Sequence, residues 1–235
     1  MKTAIPEDYQ RLIEIGQSML KSTDEHWQEI PVERIPIARF GQGTDAVFVA
    51  VGHLMLGQVD QARDWFAISA QFFLEAGKPA DTVISEKRAL ECALFYGDKE
   101  YRVKVAQKIL PRQERLKPAE YPYVMFLKHL ILGEQTEASA FADEAAWLSR
   151  ATLKKRGGYG TLQEACKALA DKKPDAFTTA LEALLEEHKM KAAHGGTQLP
   201  DGMLCFPGAA LLILAREQGL SVDVTSPFIP AALLD

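Results

Sequence analysis

Cysteine is scarce in this 235-residue chain, and Cys92, Cys166 and Cys205 stand far apart with no CxxC pair among them. That spacing excludes a zinc knuckle and a dithiol redox motif. Cys92 and Cys166 fall in helical, mostly apolar surroundings, where a buried free thiol in a reducing compartment is expected. Long apolar runs are missing as well. The most apolar stretch, Met203 to Ala215, is interrupted by Pro207 and is too short to span a bilayer. The N-terminal MetLysThrAlaIleProGluAspTyr lacks the apolar run of a secretory signal, so a cytoplasmic protein without a membrane partner is expected. Basic residues gather only in short clusters, at Lys154 to Arg156 and at Lys172 and Lys173, against a net charge of −5 and a pI near 5.6. A polyanion is bound through clustered Lys and Arg that release counterions, so no nucleic-acid partner is expected. A basic partner suits this charge better than an acidic one.

Catalytic signatures are also missing. His26, His53, His129, His188 and His194 are scattered, with no HExxH and no i,i+4 pair to set two metal ligands side by side. The Gly41–Asp45 stretch GlyGlnGlyThrAsp lacks the spacing and the lysine of a phosphate loop; it reads as a helix start capped by Thr44 or Asp45. No GxSxG elbow occurs. Glu186 and Glu187 are adjacent and point to different helix faces, which suits solvated charges better than an acid–base pair; Glu187 and His188 read as solvent-facing groups near a helix C-terminus. The expectation is therefore a non-enzyme with no cofactor and no metal.

What the sequence does have is a repeat. A turn-forming residue separates two apolar-periodic segments four times: LeuGlyGlnValAspGlnAla at Gly57, TyrGlyAspLysGluTyrArg at Gly97, LeuGlyGluGlnThrGluAla at Gly133, and AlaAspLysLysProAspAla at Asp171. The anchors lie 40, 36 and 38 residues apart, within the roughly 34–47-residue periods of helical-hairpin arrays. Positions 5, 8, 9 and 12 after each anchor give Ala62, Trp65, Phe66 and Ser69; Arg102, Val105, Ala106 and Ile109; Ala138, Phe141, Ala142 and Ala145; and Ala176, Thr179, Ala180 and Ala183. Thirteen of these sixteen are apolar against 47% for the whole chain, so the helical phase is kept from unit to unit. His53 and His129 both sit four residues before an anchor, where packing is the simpler role.

These features predict an all-α fold: a tetratricopeptide-like array of helical hairpins with a C-terminal capping helix and a short extended tail. A first helix is expected over Pro6–Leu20, and Glu29–Phe40, interrupted by Pro31 and Pro36, reads as an extended connection. Residues 1–40 then form an N-terminal helix and irregular connection, and 41–235 the repeat domain. Helices are expected from Thr44 to Leu56 and from Asp60 to Glu75 before Gly77. GlyGlyTyrGly at 157–160 separates the third hairpin from the fourth, and the His194–Gly202 stretch ends the array. The last helix spans about Gly208–Gln218, before LeuSerValAspVal, which alternates like a short strand or tail.

The C-terminal third is more specific. LeuGluAlaLeuLeuGluGluHisLys at 181–189 leads through a Gly-rich break into an apolar helix ending AlaArgGluGlnGlyLeu at 215–220, followed by ValAspVal and SerProPheIleProAlaAlaLeuLeu. This order resembles the immunity protein 49 family of bacterial polymorphic-toxin systems, over about residues 40–235. The resemblance implies an α-helical protein whose partner is a cognate toxin, neutralised by direct binding. Occlusion of the toxin's active site by an acidic face is the expected mechanism; a helical-repeat adaptor or chaperone that binds a peptide or secretion component is the alternative. Repeat arrays use one continuous face for binding, so polar residues on the first helices of the hairpins are candidate contacts: Asp45, His53, Glu86, Glu91, Glu120, Tyr123, Lys128 and Gln163.

Overall fold

Glycine with positive φ stops the helices at Gly57, Gly97, Gly133 and Gly219, the left-handed conformation that a helix C-terminus favours. The computed structural model describes residues 5–76, 83–111, 120–143, 147–155, 158–195 and 199–234 and holds twelve α-helices among them; the first three of these glycines each join two helices, and Gly219 ends the last. The helices are α1 (Pro6–Glu25), α2 (Ile35–Met55), α3 (Val59–Glu75), α4 (Val83–Tyr96), α5 (Lys99–Lys108), α6 (Tyr121–Ile131), α7 (Gln135–Ala142), α8 (Arg150–Lys155), α9 (Leu162–Ala170), α10 (Pro174–Gly195), α11 (Pro200–Met203) and α12 (Phe206–Glu217). The expected hairpins are α2/α3, α4/α5, α6/α7 and α9/α10, and α1 packs along α2 as well. The fold is all-α with hairpin-on-hairpin packing, consistent with a helical-repeat protein. Gly77, Ala145, Arg156, Gly157 and residues 196–198 of the expected features lie outside the described residues.

Three of the glycine turns share a two-bond pattern, and Gly97 makes the first of the two bonds, onto the Leu94 carbonyl. Gly57 N–H donates to the Leu54 carbonyl and Gln58 N–H to that of His53; Gly133 and Glu134 repeat this onto Leu130 and His129, and Gly219 and Leu220 onto Arg216 and Ala215. Each satisfies two carbonyls that the helix leaves open. The fourth hairpin follows suit one residue later than expected: Lys172 N–H reaches Leu169 and Lys173 N–H reaches Ala168, with Lys172 itself at φ 54°. The anchor is therefore Lys172, not Asp171. The one-residue shift moves the buried phase to Phe177, Ala180, Leu181 and Leu184, while the expected Ala176 and Thr179 face solvent. In the first two hairpins the expected positions are buried, apart from the half-buried Trp65.

Two further expectations are corrected, and of the two readings of the last segment the extended tail holds. The second helix begins at Ile35 rather than at Thr44, because Pro36 occupies the first turn, where its missing N–H is not needed. Thr44 consequently lies inside the helix, its hydroxyl donating back to the Phe40 carbonyl at 3.1 Å, and neither Thr44 nor Asp45 is a cap. The last helix is not a cap on the array: Phe206 to Ala215 are buried on every side against α4, α9 and α10. A helix apolar all round belongs in the interior, and a ladder of rings from Phe66 to Phe95 (5.1 Å between centroids) to Phe206 (5.5 Å) ties α3 and α4 to it. The segment after Gly219 forms no strand among the described residues, only an isolated bridge between Ser226 and Ile229; the Phe228 carbonyl accepts from Cys205 N–H and pins the tail to the start of α12.

Candidate functional site: a charged cleft between α4 and the C-terminal helices

Arg88 projects from α4 over the ring of Phe206, with its guanidinium carbon 4.0 Å from the ring centroid. One arm of the fork pairs with Glu91 Oε2 at 3.1 Å and the other with Asp201 at the tip of α11. Burial opposes the guanidinium charge, but the two carboxylates outweigh it and push its pKa up. Glu91 is fully buried and accepts a second hydrogen bond from the Tyr123 hydroxyl at 3.3 Å. Burial raises the carboxyl pKa of Glu91 in spite of Arg88. Beside this pair, Lys87 Nζ meets Glu120 at 2.7 Å.

The opposite wall comes from α10 and the 158–161 loop. Lys191 Nζ donates to the Gly158 carbonyl at 2.6 Å and lies 3.6 Å from the centroid of the Tyr159 ring; burial lowers its pKa. Between the walls opens a cavity of about 450 Å³, lined by Lys87, Arg88 and Lys191 as cations and by Glu120 and Asp201 as anions, with Leu204 and Phe206 among its apolar residues.

Glu187 and His188 clamp that loop to α10. They are buried, not solvent-facing as expected, because α10 runs on to Gly195 and turns this face toward the loop. Glu187 Oε2 accepts from Gly160 N–H at 2.7 Å, and Lys154 lies 3.0 Å from Oε1. Burial alone would raise the Glu187 pKa, but Lys154 and the backbone N–H groups hold it below the usual value. His188 Nδ1 is 2.8 Å from the Tyr159 hydroxyl, and burial drives its pKa down to about 4, so the imidazole is neutral near pH 7.

Paired, fixed charges around an open cavity suit recognition of a partly polar surface. The thiols offer no activated nucleophile: burial pushes Cys92 and Cys205 up to about 12 and Cys166 well above its ordinary value. Among the described residues no group of three or more His, Cys, Asp or Glu is placed to hold a metal, and no helix is long and apolar enough to cross a membrane.

Of the expected contact residues, the structure gathers Glu86, Glu91, Glu120 and Tyr123 at α4 and the start of α6, with Glu120 lining the cleft. Glu91 and Tyr123 are buried behind Arg88, do not line the cavity and offer no surface to a partner. The other four are dispersed. Asp45 sits in the α1–α2 seam, where burial raises its pKa to about 6. His53 closes its own turn, with Nδ1 2.5 Å from Gln58 Oε1, and His129 does the same with Glu134 at 2.6 Å while stacking on Phe141. Lys128 donates to the Ile109 carbonyl at 2.7 Å, and Gln163 is half-buried at the start of α9. Lys87, Arg88, Tyr159, Lys191 and Asp201 were not legible. Arg88 and Asp201 are 113 residues apart, and no local pattern announces their pairing.

Hairpins packed around a buried central helix, with a charged cleft between α4 and the C-terminal helices, define a helical protein suited to recognition. The profile of immunity protein 49 matches residues 100–233, more than half of the sequence, and the chain belongs to that family. The match begins within α5 rather than near residue 40, so the cleft combines α4, which precedes it, with α10 to α12, which lie within it. No curated protein and no solved structure matches.

Proposed function

We propose that this protein is a cytoplasmic, stoichiometric immunity protein, in which a tetratricopeptide-like array of hairpins presents the Arg88 cleft to a cognate bacterial toxin and blocks the toxin's active site or substrate path. Membership of the immunity protein 49 family is the observation that carries this reading. The cleft supports it, because concave apolar floors rimmed by paired charges seat the few anchor side chains that dominate protein–protein affinity. The net charge of −5 favours encounter with a basic toxin surface. No catalytic step is assigned to the protein itself.

Co-expression tests the proposal. A toxin of the same system, expressed alone, is expected to arrest growth, and growth is expected to return when both proteins are made. Failure of rescue by an abundant, folded protein overturns the reading. Binding to several unrelated peptides or assembly components without protection marks an adaptor instead.

A further inference from the structure

A second cavity, of about 310 Å³, opens where α3, the Gly97 turn, α5 and the end of α12 meet. Three guanidinium groups line it, those of Arg63, Arg102 and Arg216, against one carboxylate, that of Glu217. This is a local excess of positive charge on a chain whose net charge is −5.

Arg102 is the telling residue. It occupies the hairpin position that is Ala62, Ala138 and Phe177 in the other three units, where packing alone asks for an apolar side chain. Arg102 is nonetheless 5% exposed, and its Nη2 meets Glu217 Oε1 at 2.6 Å. Its Nη1 is buried and has no hydrogen-bond partner among the described residues. A buried guanidinium with an open donor is costly to keep unless something satisfies it. The other two arginines are open as well: Arg63, whose Nε lies 4.0 Å from where a Cβ on Gly97 would sit, and Arg216 have no ion-pair partner among the described residues. Arg216 and Glu217 belong to the AlaArgGluGlnGlyLeu stretch that ends α12. Leu94 and Ile213 supply an apolar wall.

We propose that this pocket is an oxyanion site, in which the Arg63, Arg102 and Arg216 guanidiniums hold a carboxylate or phosphate group. Glu217 positions Arg102 by holding one arm of its fork, and the anion supplies the partner that the buried Nη1 lacks. Planar guanidiniums match the two oxygens of such groups with paired N–H donors. The anion comes either from an acidic side chain of the protein partner or from a free phosphate compound.

Calorimetric titration of the full chain with pyrophosphate and with citrate, each against sodium chloride of matched ionic strength, tests the site. One saturable site is expected. The Arg63→Ala/Arg216→Ala double variant, which leaves the buried Arg102–Glu217 pair intact, weakens it by about tenfold or more, since charge-assisted bonds carry the affinity. A thermal melt matching the wild type shows that the variant is folded. Absence of saturable binding to both anions, or equal binding by wild type and variant, overturns the proposal. Binding to free anions does not depend on the toxin reading. A second arm, which does rest on it, identifies the source: weaker toxin binding by the double variant assigns the anion to the partner, and unchanged toxin binding with lost pyrophosphate binding assigns it to a free phosphate compound.

Discussion

The carbonyl oxygen of Asp45 lies 2.5 Å from the position that a Cβ on Gly16 would occupy. α1 and α2 therefore cross in near backbone contact, and the crossing recurs where Gly52 faces Ile13 and the Tyr9 carbonyl, at 2.6 and 2.8 Å from its own absent Cβ. Backbone atoms cannot swing aside as the end of a flexible side chain can. Gly16→Ala is expected to lose about 1–3 kcal/mol of stability through overpacking, read as a lower urea midpoint. Gly41→Ala, with nothing within 4 Å of its Cβ, is the control and should not lose stability.

Asp45 carries a pH dependence of its own. Its pKa rises to about 6 because burial penalises the carboxylate. A raised folded-state pKa means that the stability tied to the protonated form is present in full below the unfolded value near 3.8 and is lost as pH climbs through about 6. Asp45→Asn stays neutral throughout. It should be more stable than the wild type by on the order of 1–2 kcal/mol at pH 8, allowing for partial exposure to water, and nearly equal at pH 4. Thermal melts at the two pH values decide; an equal difference at both removes Asp45 as the source.

His188 has the opposite sign. Its folded-state pKa is depressed to about 4 by burial, so its contribution is present above the unfolded value of 6.5 and is lost as pH falls through about 4. The shift corresponds to roughly 3 kcal/mol across that window. His188→Gln should flatten the fall in stability between pH 6.5 and 4. A fall as steep as in the wild type contradicts the assignment.

Lys172 holds φ 54° where the other three hairpins use glycine. A left-handed residue with a Cβ costs about 1 kcal/mol relative to glycine. Lys172→Gly is expected to stabilise by about 0.5–1 kcal/mol, whereas Gly57→Ala and Gly133→Ala should each destabilise by about 1 kcal/mol. The four melting temperatures, compared at one pH, check the signs.

The helical phase and three of the four turns were legible because each rests on local rules: glycine at a left-handed stop and apolar residues at helical spacing. The fourth anchor slipped by one residue because Lys172 does what glycine does elsewhere, and no local pattern distinguishes it from Asp171. Pro36 reads as a break in the sequence, although proline fits the first turn of a helix as well as it fits a loop. Half of the expected contact residues fell beside the cleft, since α4 and α6 do open two hairpins. The cleft itself was hidden because Arg88, Tyr159, Lys191 and Asp201 meet only through tertiary packing. For the same reason Glu91, a polar residue in the middle of α4, reads as surface in the sequence and is buried in the fold.

Stoichiometric neutralisation is tested most directly by titrating the purified protein into a fixed amount of active toxin and following residual toxin activity. A linear fall to zero at one equivalent is expected, with the two proteins co-eluting, and about tenfold weaker inhibition by the folded Asp201→Lys variant at the cleft mouth. Toxin activity that is unaffected at any ratio, or abolished by a small fraction of an equivalent, would contradict stoichiometric neutralisation.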